Sequence, residues 1–125
     1  MTLEQYNRFC ASLPHSEHVV QWGGAHVWKL GGKVFAIAGW GSDCNPAADP
    51  FVTFKCSQMS FDMLRDAEGC RPAPYLASRG MLWIQRIGPQ TLDDNALRDY
   101  ISESRRLVGL NLTKSLRRKL GLDGD

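Results

Sequence analysis

Residues 26–40 read His26-Val27-Trp28-Lys29-Leu30, then Gly31-Gly32, then Lys33-Val34-Phe35-Ala36-Ile37-Ala38-Gly39-Trp40, and this stretch decides the fold. Two runs rich in β-branched and aromatic residues flank a pair of glycines. Both glycines can take positive φ without a Cβ clash, so the pattern predicts two antiparallel strands joined by a tight turn. One step upstream, His18-Val19-Val20-Gln21-Trp22 followed by Gly23-Gly24 repeats the arrangement. Three strands in a meander are therefore expected.

Working outward, residues 51–56 place Val52, Phe54 and Cys56 in alternation with Thr53 and Lys55, the period of a strand with one buried face. Residues 81–87 form another strand, closed by Gly88-Pro89. Between them, Ser57 or Ser60 can cap a short helix through Leu64 that ends near Gly69. Residues 70–80 should be irregular, because Pro72 and Pro74 lack amide donors and hold their predecessors extended.

Helices are expected at both ends. Thr2 and Gln5 form a capping box, and Leu3, Tyr6, Phe9, Cys10 and Leu13 recur at helical spacing until Pro14, predicting a helix over 3–13. Asp93 caps a long helix carrying Leu97, Tyr100, Ile101, Leu107 and Val108, which Gly109 should end. Thr113 caps a last helix with Leu112, Leu116 and Leu120 on one stripe. An α+β fold follows, one domain over 1–125, with an antiparallel sheet flanked by the N- and C-terminal helices.

At 125 residues, with 43% hydrophobic and 22% charged residues and a net charge of +2, the chain suits one domain that holds a core without disulfides or a structural metal. No uncharged stretch approaches the ~20 apolar residues of a bilayer crossing. The first residues lack the basic start and apolar core of a secretion signal, so no membrane association is expected and the location should be cytoplasmic. Cys10, Cys44, Cys56 and Cys70 show no Cys-x-x-Cys pair and are expected to be reduced. His15 and His18 have the spacing of half a zinc site without its second pair of ligands. Neither a metal nor another cofactor is expected.

No glycine-rich strand-to-helix cradle and no Gly-x-Ser-x-Gly elbow occurs, so the expectation is a binding module rather than an enzyme. The charge is uneven: residues 103–120 hold six cations against the single carboxylate Glu103. Cations also sit beside rings, at Trp28 with Lys29, Lys33 with Phe35, Phe54 with Lys55, Tyr75 with Arg79 and Trp83 with Arg86. Cations neutralise phosphates and exposed rings stack on bases. The residues expected to meet nucleic acid, foremost duplex DNA through its backbone, are Lys29, Lys33, Lys55, Arg79, Arg86, Lys114, Arg117, Arg118 and Lys119. Strand alternation would put Lys29 with Val27, Lys33 with Phe35 and Lys55 with Thr53 on one side of the meander. Trp28 and Phe35 are expected in the core.

The chain resembles the MmcQ/YjbR family of small bacterial proteins, described as DNA-binding with a CyaY-like fold. The resemblance rests on Trp22, Trp28-Lys29, the run from Gly32 to Ala36, the run from Phe51 to Lys55, Arg71-Pro72-Ala73-Pro74-Tyr75-Leu76, the run from Arg79 to Ile84, and residues 104–112. It departs from the family where Ser104-Arg105 stands in place of a frequent Ser-Tyr. The resemblance implies an antiparallel sheet with flanking helices and a double-wing approach to DNA through hairpins. Frataxin-like members of the same fold class bind iron through acidic residues on the first helix. Here Glu4 is followed by Arg8, which does not supply hard oxygen ligands.

A second expectation is a protein or small-molecule adaptor with its site at the 72–79 loop, walled by Pro74, Tyr75 and Trp83. Rings beside prolines make rigid contacts of low entropy cost. The alternative at this loop is that the prolines fix a crossover and Tyr75 plugs the core.

Overall fold

The computed structural model describes residues 1–40 and 47–122; Cys44 and most of the 41–50 loop lie outside them. Helix α1, Leu3–Ser12, opens with the capping box of Thr2 and Gln5. The strands β1 (Ser16–Gln21), β2 (Ala25–Leu30) and β3 (Lys33–Ala38) form the meander. They are followed by β4 (Val52–Lys55), α2 (Gln58–Leu64), β5 (Cys70–Pro72), a 3-10 turn over Ala77–Arg79, β6 (Trp83–Arg86), α3 (Asp94–Leu110) and α4 (Lys114–Lys119).

The strands form one antiparallel sheet in the order β1-β2-β3-β4-β6-β5. The fold is α+β, with helices packed on one side of the sheet. On that side Trp28, Ala36, Phe54 and Ile84 stand in one cross-strand row. They share a core with Tyr6 and Cys10 of α1, Phe61 and Leu64 of α2, and Leu97, Ile101 and Val108 of α3. Trp28 and Phe35 are both buried. Fully burying one such aromatic contributes about 1.5–3 kcal/mol, so the row across the sheet and the helix stripes are sufficient to hold the two layers together.

Three local features depart from the sequence reading. Residues 70–72 are a short strand rather than irregular chain: β5 pairs with β6, and it is an edge strand, where Pro72 needs no ladder donor on its outer side. Helix α3 runs through Gly109 to Leu110, and the buried Gly109 lies beside Leu30. Finally, β2 and β3 slip register: Trp28 pairs with Ala36 but Lys29 with Val34, so Phe35 is an extra residue in a β-bulge. The bulge turns Phe35 into the core and Val34 outward, so Lys33 and Phe35 do not share the face that strict alternation gives them.

Among the described residues Cys10, Cys56 and Cys70 are free and buried. Burial pushes the Cys56 thiol up to about 11 and raises those of Cys10 and Cys70 as well. Thiols so protonated are poor nucleophiles. No helix of the described residues is long and apolar enough to cross a membrane.

Candidate functional site

Among the described residues no α-helix packs on the second face of the sheet. Its centre is a small cluster of Ala25, Val27 and Ile37, flanked by Val19, Val34 and Trp40. Beside it runs a polar row in which Thr53, Gln85 and Arg71 are cross-strand neighbours. Gln85 is fully buried and its amide is fully used. Nε2 donates to the Trp40 carbonyl at 2.8 Å and to Thr53 Oγ1 at 3.1 Å, while Oε1 accepts from Arg71 Nε at 2.8 Å. This row closes the open face by hydrogen bonding and holds the end of β3 in place.

Next to the row lies a groove of about 410 Å³, walled by Trp22, Val34, Ile37, Leu76, Met81 and Trp83 and lined as well by Lys33 and Lys55. Val108 and Asn111 of the opposite layer also line it, so the groove reaches through the sheet where β3 and β4 part. Ser104 accounts for the parting. Its buried hydroxyl donates to the Phe35 carbonyl at 2.6 Å and accepts the Lys55 amide at 2.9 Å. It thus stands in for the ladder bonds that the two strands would otherwise exchange beyond Ala36 and Phe54. The indole N–H of Trp83 is buried without a hydrogen-bond partner, an arrangement that costs about 1–3 kcal/mol.

A row of rings borders this face. Trp22 and Trp40 have centroids 6.3 Å apart, and Trp40 and Tyr75 6.0 Å, each pair tilted by 42°. Trp22 is 54% and Tyr75 74% exposed, so Tyr75 does not plug the core. Both have positive φ, 53° and 66°, a conformation costing a bulky residue on the order of 1–3 kcal/mol and concentrated at functional positions.

The expected phosphate-binding cations divide into groups. Lys33 and Lys55 both line the groove. Lys114, Arg118 and Lys119 are exposed on α4, which starts three residues after Asn111 and packs Leu112 and Leu116 beside Gly31 of the β2–β3 turn. Arg117 is half-buried by a shallow cleft with Arg105 and Arg106. Lys29 lies on the open face directly across from Glu17 and outside the groove lining. Arg79 is exposed in the 3-10 turn, outside the groove lining.

Arg86 is not at the surface, contrary to the sequence expectation. It is 1% exposed, with Nε donating to the Leu92 carbonyl at 2.9 Å and Nη2 to Asp94 Oδ1 at 3.2 Å. Asp94 also accepts the amino terminus at 3.0 Å. Burial works to raise its carboxyl pKa, but the amine and Arg86 outweigh that and hold it below the ordinary carboxylate value. Arg86 ties the start of α3 to the sheet and cannot reach a phosphate. Trp83, taken as a wall of the loop site, is buried yet lines the groove, as do Leu76 and Met81 from either side of the 3-10 turn. The two sites expected from sequence thus meet in one place, while Pro74 stays outside the lining.

His18 also finds a different partner from His15: its Nε2 is 3.0 Å from His26 Nδ1. Among the described residues no three His, Cys, Asp or Glu side chains cluster in a metal-holding arrangement.

The YjbR family model matches residues 11–107. The chain belongs to the YjbR family. A crystal structure of a Deinococcus radiodurans protein with a DUF419 domain superposes with a TM-score of 0.78 at 23% identity, covering 97% of this chain and 88% of that one. A Pseudomonas syringae protein superposes with a TM-score of 0.67 at 15% identity, covering 86% of this chain and 99% of that one. At these identities the likeness is one of fold. Among curated proteins none matches the chain. The YjbR match takes in the whole meander, the groove walls and Ser104, whereas α4 and its cations lie beyond it.

Proposed function

We propose that this YjbR-family chain is a non-catalytic module that binds nucleic acid, gripping phosphates with the cations at the β2–β3 turn end of the sheet. The observation that carries the reading is that Lys33 and Lys55 line one groove whose lining, among the described residues, contains no carboxylate, with the exposed cations of α4 beginning three residues after the lining residue Asn111. The acidic groups Asp49, Asp93 and Asp94 instead gather with the amino terminus around the start of α3. Since α3 has 17 residues, that start lies about 25 Å from its other end at ~1.5 Å per residue. A separation of this kind orients an approaching polyanion.

Lys33, Lys55, Lys114, Arg118 and Lys119 can neutralise about four or five phosphates. The logarithm of affinity should then fall against the logarithm of salt with a slope of roughly −3 to −4.5. Fluorescence anisotropy with labelled DNA at several salt concentrations reads this slope. Absence of binding at low salt to both single-stranded and duplex DNA would remove the reading.

The largely apolar walls support a second reading, a ligand-binding adaptor using the same groove beside Tyr75 and Trp83, since small-molecule sites are concave and mostly apolar. It predicts saturable binding of a small ligand or a protein segment with almost no dependence on salt.

A further inference from the structure

We infer that the groove where β3 and β4 part receives one unpaired nucleotide, its base against the Trp83 side and its phosphate at Lys33 and Lys55. The inference rests on the nucleic-acid reading above and names the form of nucleic acid. Four features support it. The walls Val34, Ile37, Leu76, Met81 and Trp83 are apolar, and the volume of about 410 Å³ falls within the ~300–1,000 Å³ of small-ligand sites. Among the described residues the charged lining groups are two lysines, so an occupant with an apolar body and an anionic group is the complementary one. The buried N–H of Trp83 lacks an acceptor, and base carbonyls, ring nitrogens and phosphate oxygens are all acceptors. Exposed Trp22 is itself part of the lining and is continued through Trp40 to exposed Tyr75, where further bases of a strand can stack.

A paired base already has both faces covered in the duplex stack, and its edges lie in a groove that only a projecting element can enter. The site here is recessed. An unpaired base offers its ring to apolar and aromatic walls and leaves its backbone to the cations at the rim. Ser104 is a positioning residue in this arrangement, because its two hydrogen bonds hold the strands apart.

The test is a competition with the whole chain, using labelled short oligothymidylate against the unlabelled strand, a matched duplex and thymidine monophosphate. Single strand should bind at least about tenfold more tightly than duplex. Lys55→Ala and Met81→Glu should each weaken single-strand binding by about three- to tenfold, with unfolding midpoints confirming that both variants fold. The exposed and distant Arg8→Ala serves as a control with unchanged affinity. Competition by the mononucleotide that Met81→Glu abolishes would support the same site and identify a free nucleotide as a sufficient occupant. Duplex binding as tight as single strand would overturn the inference while leaving the nucleic-acid reading standing. Single-strand binding insensitive to both groove variants would do the same. No binding of either DNA form at low salt would overturn both.

Discussion

Gln85 and Arg86 are neighbours on β6, and both are buried, but they point to opposite faces of the sheet and are buried by different means. Arg86 faces the helix layer, where the start of α3, the 87–93 segment and the amino terminus close over it; one guanidinium nitrogen, Nη1, has no partner. Gln85 faces the side on which the described residues place no α-helix, and its amide is bonded to Arg71, Thr53 and the Trp40 carbonyl just past β3. The helix face is sealed by apolar packing with one ionic tie at its margin. The open face is sealed by a hydrogen-bonded row, which leaves its neighbouring rings and groove accessible. A sheet in this arrangement can keep one surface for binding while the other supplies the stability.

The largest expected effect comes from breaking the tie on the helix face. Arg86→Ala removes a buried side chain, leaves the Leu92 carbonyl without its donor and takes from Asp94 one of its cations. A loss of about 3–4 kcal/mol is expected, read as a lower urea midpoint, with little change in affinity for any ligand of the open face when measured on folded protein. Destabilisation below about 1 kcal/mol would mean that the helix layer does not depend on this tie.

A smaller effect, of a different kind, is expected on the other face. Gln85→Ala strands the Trp40 carbonyl and Thr53 hydroxyl and should cost about 1–3 kcal/mol. Because Gln85 holds Trp40, which lies between Trp22 and Tyr75 in the ring row, the same variant should also weaken DNA binding and alter tryptophan emission. Stability lost without any change in binding or emission would separate the polar row from the site and break the comparison.

The two residues also mark what could be read in advance. Local patterns were legible: the Gly31-Gly32 turn, the capping box of Thr2 and Gln5, and the alternation of Phe54 and Val52 each depend on residues a few positions apart. A cation beside a ring suggested a surface role for Arg86, but its environment is set by Asp94 and Leu92, which reach it only through the fold. Thr53 shows the related limit: alternation placed it on an exposed face, yet it is fully buried under Gln85. The lysines of the groove are legible as cations beside rings, Lys33 near Phe35 and Lys55 next to Phe54. The groove itself is not, because it exists through the Phe35 bulge and a hydroxyl 69 residues away from that strand. The run of serine and arginine in α3 gave no local sign that Ser104 would enter the sheet.

The smallest effect expected is a pH dependence at the outer margin of the helix face. Trp28 Nε1 donates to Asn7 Oδ1 at 2.9 Å, which turns the Asn7 amide nitrogen toward His26 Nδ1, 3.3 Å away. That nitrogen must therefore accept, and His18 Nε2, 3.0 Å from it, must be the donor. Protonating His26 at Nδ1 would set three donors against one another. Burial, and then the nearby His18, lower the His26 pKa. A histidine with a depressed folded pKa contributes stability that is intact above the unfolded value of about 6.5 and declines as pH falls from there toward the folded value. The site is partly exposed, so the loss should stay below about 1 kcal/mol. It is separable from that of Asp94, whose stabilising ionisation is lost only at more acidic pH, below about 4. Urea unfolding at pH about 7.5 and about 5.5 should show this decline, and His26→Gln should flatten it. Equal stability of the unaltered chain at both pH values would show that the histidine pair is not held in this arrangement.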